Sequence, residues 1–326
     1  MADVNMGLLL STTLKKYRTT LIDQIHNSNA LFYQLKEMGN ITEEDGGERI
    51  VQPIMYGQNT TAGSYSGYDL LDTTPQEGID AAEYNWKQYS VSVTISGEEE
   101  RKNAGRKEQI IKILDARTKQ ARMSLTEQMT QGLFSDGTGN GGKNLTGLEA
   151  MVAATGTYGG INSGTYAWWR AYVDSTSEVL SLADMRTAYN TNSLGGKDTP
   201  TLIVTTQALF EKYESNFTMV SGDIANIAGS FMTQSAGEKK IADGGFQKLG
   251  FKGVPIVWDE YCPSGSMYFL NGNHMKLVVH KDANFDITDF VKPENQDARV
   301  AQILFMGNLT CDRRKSFSKL TNKTTS

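Results

Sequence analysis

The sequence contains little cysteine, histidine or proline: two, three and six residues in a chain of 326. Cys262 and Cys311 are too few for a disulfide framework, and neither has the spacing of a zinc site. His26, His274 and His280 have no partner at the spacing of a metal site or a catalytic triad. We therefore expect no metal, no cofactor and no nucleophilic catalysis.

Long apolar runs and an excess of positive charge are also missing. The apolar run at residues 6–10 is too short to cross a membrane. Lys15 and Lys16 follow it, which is the reverse of the order in a signal peptide. With 32 basic and 37 acidic residues the net charge is -5, which argues against a protein whose main function is to bind nucleic acid. We expect a cytosolic product without membrane contact.

Glycine, by contrast, is abundant at 32 residues, which indicates long turn-rich segments. Before the first of these segments, apolar residues at helical spacing predict an amphipathic N-terminal arm that ends at Gly39. The stripe consists of Leu10, Leu14, Tyr17, Leu21, Ile25, Phe32 and Leu35. Such a stripe must be buried, and the pattern leaves open whether it packs within its own subunit or on a neighbour.

Residues 50–95 predict a long hairpin. Residues 50–55 have the pattern of a short strand, and the alternation from Tyr89 to Ile95 predicts the returning strand. The acidic, glycine-rich segment between them is too polar to form a core, and loops of this length are usually functional or disordered. The predicted interface residues are Tyr65, Tyr68, Leu70, Leu71, Trp86 and Lys87 of this segment and Leu14, Tyr17 and Leu21 of the arm.

A long helix is predicted after the hairpin. Ser96 and Glu99 have the spacing of a capping box, and the helical pattern runs to about Leu133, a length on the order of 50 Å. The narrow apolar stripe consists of Ile111, Leu114, Ala121, Leu125, Met129 and Leu133. The pattern predicts a rod that covers a sheet on one side. Basic residues off the stripe indicate a solvated face, with contact to a polyanion as the less common alternative.

Residues 137–144 match the first seven positions of a phosphate-binding loop, G-x-x-x-x-G-K. Asn144 stands where the motif needs a magnesium-binding Ser or Thr, and a helix precedes the segment where the motif needs a strand. These two mismatches favour a plain glycine-rich turn over a nucleotide site.

The remainder of the chain predicts a small α/β unit followed by strands. A helix at 181–192, a strand at 201–205 and a helix at 206–213 form the α/β unit. The predicted strands that follow are 254–258, 267–270, 277–280, 285–290 and 299–309. The last residues cluster five cations, which predicts a solvated tail, with packaged DNA or a neighbour's acidic hairpin as alternative partners. These cations are Arg313, Arg314, Lys315, Lys319 and Lys323.

The order of these parts resembles that of the major capsid proteins of tailed bacteriophages with the Hong Kong 97 phage-type fold. The stretches that carry the resemblance are Gly159-Gly-Ile-Asn162 before Tyr166-Ala-Trp-Trp-Arg170, residues 184–189 leading to 201–206, and residues 246–258 with Pro255. The resemblance covers nearly the whole chain and depends on the combination and order of these stretches.

The resemblance implies an α+β fold with five parts. These are an N-terminal arm (1–48), an extended hairpin loop (49–97), a peripheral domain with the spine helix (98–180), an axial α/β domain (181–271), and return strands with a C-terminal tail (272–326).

The implied function is a non-enzymatic shell protein of the virion. Copies would form hexamers and pentamers around double-stranded DNA, with portal, scaffold and decoration proteins as further partners and assembly in the host cytoplasm. No long charged N-terminal helix suggests a built-in scaffold, so scaffolding would be separate, absent or already cleaved. No motif singles out a cross-linking partner for Lys87. Encapsulin compartments share the fold, and a nucleotide-using enzyme is the third class considered.

Overall fold

The computed structural model describes residues 30–102, 107–193, 196, 198–218 and 249–326. Its helices are α1 (Ala30–Glu37), α2 (Gly97–Lys102), α3 (Lys107–Phe134), α4 (Gly139–Gly142), α5 (Leu148–Met151), α6 (Leu182–Asn192) and α7 (Gln207–Thr218). Its first eight strands are β1 (Ile41–Glu44), β2 (Ile50–Met55), β3 (Ile79–Tyr84), β4 (Lys87–Ser96), β5 (Thr157–Tyr158), β6 (Ile161–Asn162), β7 (Tyr172–Asp174) and β8 (Glu178–Val179). The others are β9 (Leu202–Thr205), β10 (Leu249–Phe251), β11 (Val254–Trp258), β12 (Met267–Leu270), β13 (Met275–Ile287), β14 (Ala298–Cys311), β15 (Ser318–Leu320) and β16 (Lys323–Thr324).

A four-stranded sheet and helix α3 form the first of two packed units. The strand order is β1-β13-β14-β4, with β1 parallel to β13 and the other two pairs antiparallel. The α3 side chains buried in this core are Leu114, Ala121, Leu125, Met129, Leu133 and Phe134. Only one side of α3 is apolar because only that side meets the sheet. No helix in the described residues has the length and apolarity to cross a membrane.

The capping box predicted before α3 begins the short helix α2. The amide of Glu99 donates to the Ser96 hydroxyl over 3.1 Å, and the Ser96 amide donates to the Glu99 carboxylate over 3.2 Å. Helix α3 itself begins at Lys107, and residues 103–106 lie outside the described part of the chain. The helix end predicted near Leu133 agrees with the end at Phe134.

The second unit is a six-stranded sheet with helices α6 and α7. The strand order is β10-β11-β9-β12-β15-β7. Strand β9 is buried along its whole length, as its unbroken apolar sequence predicts. Ser181 and Asp184 cap α6 reciprocally, with the Asp184 amide 3.2 Å from the Ser181 hydroxyl. The predicted helix, strand and helix are present as α6, β9 and α7, and the sheet also contains β7 and β15 from outside residues 181–271.

The predicted pairing of the hairpin is wrong in one respect. Strand β2 has the predicted bounds, but it pairs with β3, so that Ile50 lies opposite Tyr84 and Met55 opposite Ile79. The alternating residues from Tyr89 to Ile95 lie in β4, which pairs with β14. Strand β3 escaped prediction because its sequence, Ile-Asp-Ala-Ala-Glu-Tyr, contains one β-branched residue and little alternation.

The expected solvated C-terminal tail is also wrong. Strand β15 lies inside the six-stranded sheet, between β12 and β7, and Arg314 and Lys323 are 1% and 3% exposed. Arg314 donates to the carbonyls of Ala150 and Met151 over 2.7 and 2.8 Å. A buried cation is tolerated only with such partners, and these partners are remote in sequence. Arg313 and Lys315 are the two tail cations that stay exposed.

The described part of the N-terminal arm packs on its own subunit. In α1, Leu31, Phe32 and Leu35 are fully buried. The helix ends as predicted, with Gly39 in the left-handed conformation at φ +70°. Leu14, Tyr17 and Leu21 lie outside the described residues, so their proposed role in subunit contacts stays a prediction.

Candidate assembly surfaces

The base of the β2–β3 hairpin is anchored in the core of the first unit. Its inward side chains, Ile50, Ile54, Ala82 and Tyr84, are buried. The Tyr84 hydroxyl donates to the carbonyl of Cys311 over 2.7 Å. Gly159 adopts φ +60°, and a Cβ there would lie 2.8 Å from that of Ala82, so the approach requires glycine. The direction of the hairpin is therefore set by tight packing at its base.

An aromatic stack supports the hairpin where β2 ends. The rings of Tyr56 and Trp168 lie parallel, 4.6 Å between centroids and 9° between planes. Trp169, the next residue, is fully buried and donates its indole N–H to the Tyr158 carbonyl over 2.9 Å. Trp169 is therefore part of the core, whereas Trp168 is half-buried and supports the hairpin.

The outward face of the hairpin is apolar, and no segment among the described residues covers it. Met55 and Ile79, which lie opposite each other across the ladder, are 80% and 75% exposed. Val51 on the same face is more than half exposed. Clustered exposed apolar side chains of this kind are typical of surfaces that bind another protein.

The tip of the hairpin, residues 56–78, continues this exposed surface. Tyr68 and Leu70 are fully exposed, and Tyr65 and Leu71 are largely exposed. Short-range hydrogen bonds within the tip include the Thr60 hydroxyl donating to the Gln76 side chain over 2.8 Å. Four of the predicted interface residues therefore lie together on a segment that no described part of the chain covers.

Trp86 and Lys87 occupy a different environment from the tip. The Trp86 indole donates to the Gly47 carbonyl over 2.9 Å and meets His280 edge to face. The Lys87 ammonium donates to the carbonyl of Gly142, and partial burial lowers the pKa of this lysine. Both side chains are half-buried in their own subunit. Their contact with a neighbour stays a prediction.

The glycine-rich segment 137–144 forms a tight turn after α3. Asn140, Gly141 and Gly142 follow one another in the left-handed conformation, at φ +52°, +66° and +79°. The Thr138 amide and hydroxyl both bond to the Asp136 carboxylate, over 2.9 and 2.8 Å. A carboxylate at the mouth of the turn repels phosphate. As expected, a helix precedes the segment, whereas a phosphate-binding loop follows a strand.

Substituting Lys143 by Ala is expected to change neither ATP titration nor particle formation, because Lys143 is exposed at this turn and the magnesium-binding hydroxyl is missing. Isothermal calorimetry with Mg-ATP measures the first effect and electron microscopy the second. Micromolar ATP binding that disappears in the variant would contradict this prediction and favour a nucleotide-using enzyme.

One cluster of three carboxylates in the described residues has a geometry that suits a metal ion: Asp174, Glu178 and Asp184. The ammonium of Lys323 lies among them, 2.9 Å from Asp174, 2.5 Å from Glu178 and 3.7 Å from Asp184. This cation compensates the carboxylates and fastens β16 beside β8. The sequence analysis missed this cluster because its central cation, Lys323, is remote in sequence from the three carboxylates.

Both cysteines are buried and poorly suited to nucleophilic chemistry. Burial raises the pKa of the Cys311 thiol to about 12, and it raises the pKa of Cys262 as well. Since the thiolate is the nucleophile, neither thiol is activated at neutral pH.

Comparison with known proteins gives matches at the level of structure. No protein-family model matches the sequence, and no curated protein matches it. The structure of the cyanophage A-1(L) capsid asymmetric unit is 16% identical, has a TM-score of 0.67, and is matched over 90% of this chain and 93% of that one. Mycobacterium phage Patience gives 14% identity and a TM-score of 0.54, over 100% of this chain and 91% of that chain.

A third match is the capsid of a native GTA particle, at 10% identity and a TM-score of 0.54, over 89% of this chain and 90% of that one. These similarities extend over nearly the whole chain. The chain therefore has the α+β fold of the tailed-phage capsid proteins, the Hong Kong 97 phage-type fold.

Proposed function

We propose that this chain is a major capsid protein that assembles with copies of itself into the icosahedral shell of a tailed bacteriophage. The observation that carries the proposal is the exposed apolar surface of the hairpin, on a chain whose fold is that of phage capsid proteins. The hairpin is held rigidly at its base, while Met55, Ile79 and Leu70 are exposed at its far end. A subunit that works alone gains nothing from such an arrangement.

The energetics favour a second copy as the partner of the hairpin. Burying one Leu, Ile or Met side chain contributes about 2 kcal/mol. A few of these residues therefore supply most of the binding free energy of a weak contact between subunits. Repeated contacts in a closed shell act together, which makes the assembly stable although each contact is weak. Closed symmetric assembly also requires that one surface patch fits another on an identical chain.

The same proposal covers the partners and the location of the protein. Hexamers and pentamers of the chain would enclose double-stranded DNA without reading its sequence, in agreement with a net charge of -5. Portal, scaffold and decoration proteins would be further partners, and assembly would take place in the host cytoplasm. The chain would carry out no catalysis. The satellite phage P4 procapsid with its size-determination protein, a related fold at TM-score 0.51, is an example of a shell with a separate partner.

Negative-stain electron microscopy of the purified chain tests the proposal, together with the nucleic-acid content of the particles. We expect closed shells, or hexamers and pentamers of uniform shape, and packaged DNA in particles purified from infected cells. A chain that stays monomeric at every concentration tested would contradict self-assembly. Shells filled with a cargo enzyme would identify an encapsulin-like compartment instead.

A further inference from the structure

His274 lies where the chain passes from the six-stranded sheet to the four-stranded sheet, between β12 and β13. The chain returns between β14 and β15, and Asp312 is the first residue of that second crossing. The Asp312 amide donates to the His274 carbonyl over 3.3 Å. The two crossings therefore run side by side at the junction of the two packed units.

Both ring nitrogens of His274 contact a carboxylate. Nδ1 lies 2.7 Å from Oδ1 of Asp312, and Nε2 lies 2.7 Å from Oδ2 of Asp198, in the segment before β9. A neutral imidazole has a single N–H and can donate to only one of these oxygens. Two contacts this short, each to a carboxylate, fit an imidazolium that donates from both nitrogens.

The surrounding groups support the charged state. Burial opposes ionisation of Asp198, but hydrogen bonds from Asn271 and His274 outweigh it and lower the pKa of this carboxyl. The hydrogen bond to Asp312, followed by that to Asp198, raises the pKa of His274 above its ordinary 6.5 despite partial burial. Two further charged groups of the described chain lie near the contact: Arg313, whose guanidinium lies 3.5 Å from Asp198, and Lys276, which lines the same small cavity as His274 and Asp312.

We propose that His274 is an ionic joint, which sets the angle between the two packed units of the subunit and thereby the curvature of the assembled shell. The joint connects three chain segments, those of Asp198, His274 and Asp312, and it acts together with apolar contacts between the units, since Leu270 and Leu277 belong to one buried cluster. A change of the angle is therefore expected to strain the contacts of His274. The consequence for curvature rests on the proposed function, because only an assembled shell has a diameter to measure.

The pH dependence of the stability contributed by His274 follows from its raised pKa. A histidine whose pKa is raised by folding stabilises the fold fully below its unfolded value of about 6.5, and this contribution is lost as pH rises through the folded value. The destabilisation caused by His274→Gln is therefore expected to be largest near pH 6 and to shrink on the alkaline side. The matched variant His280→Gln removes an imidazole elsewhere on β13, where it meets Trp86 edge to face and accepts from the Asp282 amide over 3.1 Å.

Nitrogen-15 NMR of the purified subunit measures the joint directly, and the three histidines of the chain make assignment tractable. We expect His274 to be protonated on both nitrogens at pH 7, with a pKa above the ordinary value. Asp198→Asn should lower the pKa of His274. The control Asp282→Asn, which removes an exposed carboxylate elsewhere, should leave the pKa of His274 unchanged. A neutral His274 at pH 7 would contradict the proposed ionic contact with Asp198 and Asp312.

Electron cryomicroscopy of assembled particles measures the effect on curvature. His274→Gln, or Asp198→Asn if the first variant folds poorly, should change or broaden the shell diameter, while His280→Gln shells keep the wild-type diameter. Unchanged diameters in both joint variants would overturn the role in curvature and leave the proposed function intact. If the wild-type chain forms no shells, the proposed function fails, and the NMR measurement still decides whether the joint exists.

Discussion

A chain that ends after Phe317 is expected to be unfolded or insoluble, because the truncation removes a strand from the interior of the six-stranded sheet. Strand β15 pairs with β12 on one side and with β7 on the other. Leu320 is 1% exposed, and its burial contributes about 2 kcal/mol. Each buried backbone group left without a partner costs about 1–3 kcal/mol more, and the sum reaches the total stability of an ordinary domain.

Soluble yield and thermal unfolding followed by circular dichroism measure this effect. The matched control ends after Thr324, which removes two exposed residues and should change the stability by less than about 0.5 kcal/mol. Two single substitutions test the same region, one at the buried Lys323 and one at the exposed Lys315. Lys323→Met should cost about 2 kcal/mol, because it leaves carboxylates without their cation, and Lys315→Met should cost nothing measurable. Wild-type-like melting of the Phe317 truncation would contradict the packing of β15.

Replacing residues 58–77 by an Asn-Gly turn is expected to abolish shell assembly and to leave subunit folding intact. Gly57 and Gly78 already lie side by side, since the Gly57 and Tyr56 amides both donate to the Gly78 carbonyl, over 3.3 and 2.9 Å. A two-residue turn can therefore close the hairpin while the β2–β3 ladder remains. The deleted segment contributes no buried side chain to either core, but it carries Tyr68 and Leu70.

The measurement compares the melting temperature of the subunit with the yield of closed particles by sedimentation. We expect an unchanged melting temperature and at least a tenfold loss of particles, since tenfold corresponds to about 1.4 kcal/mol and one Leu contact exceeds that. Leu70→Ser with Leu71→Ser should act in the same direction, and Gln58→Ser with Thr73→Ser is the matched polar control. Normal shells from the deleted protein would show that the tip is not an assembly contact, whereas aggregation would place it in the core.

The parts of the fold with local signals could be predicted closely. Strands β2, β11 and β12 have the predicted bounds, and α3 ends within one residue of its predicted end. These elements are specified by the spacing of their own apolar residues, by a cap or by a glycine, all of which act over a few positions. The exposure of Tyr68 and Leu70 follows in the same way, because a polar, glycine-rich segment cannot bury them.

Three features depend on contacts between remote segments and were decided by the tertiary structure. Strand β3 pairs with β2 although its own sequence is a poor strand, because buried Ala82 and Tyr84 pack on the core beneath it. Arg314 and Lys323 are buried because carbonyls and carboxylates on distant segments satisfy them. His274 has two carboxylate partners, neither of them its neighbour in sequence.

The sequence by itself thus determined the bounds of several strands, the end of α3 and the exposed hairpin tip. The tertiary structure decided which strands pair, which charges are buried and where the two units are joined. The physical reason is the sequence separation between the residues that interact. Hydrophobic periodicity and capping are properties of neighbouring residues, whereas a buried charge is stable only if the fold brings its counter-charge to within hydrogen-bonding distance.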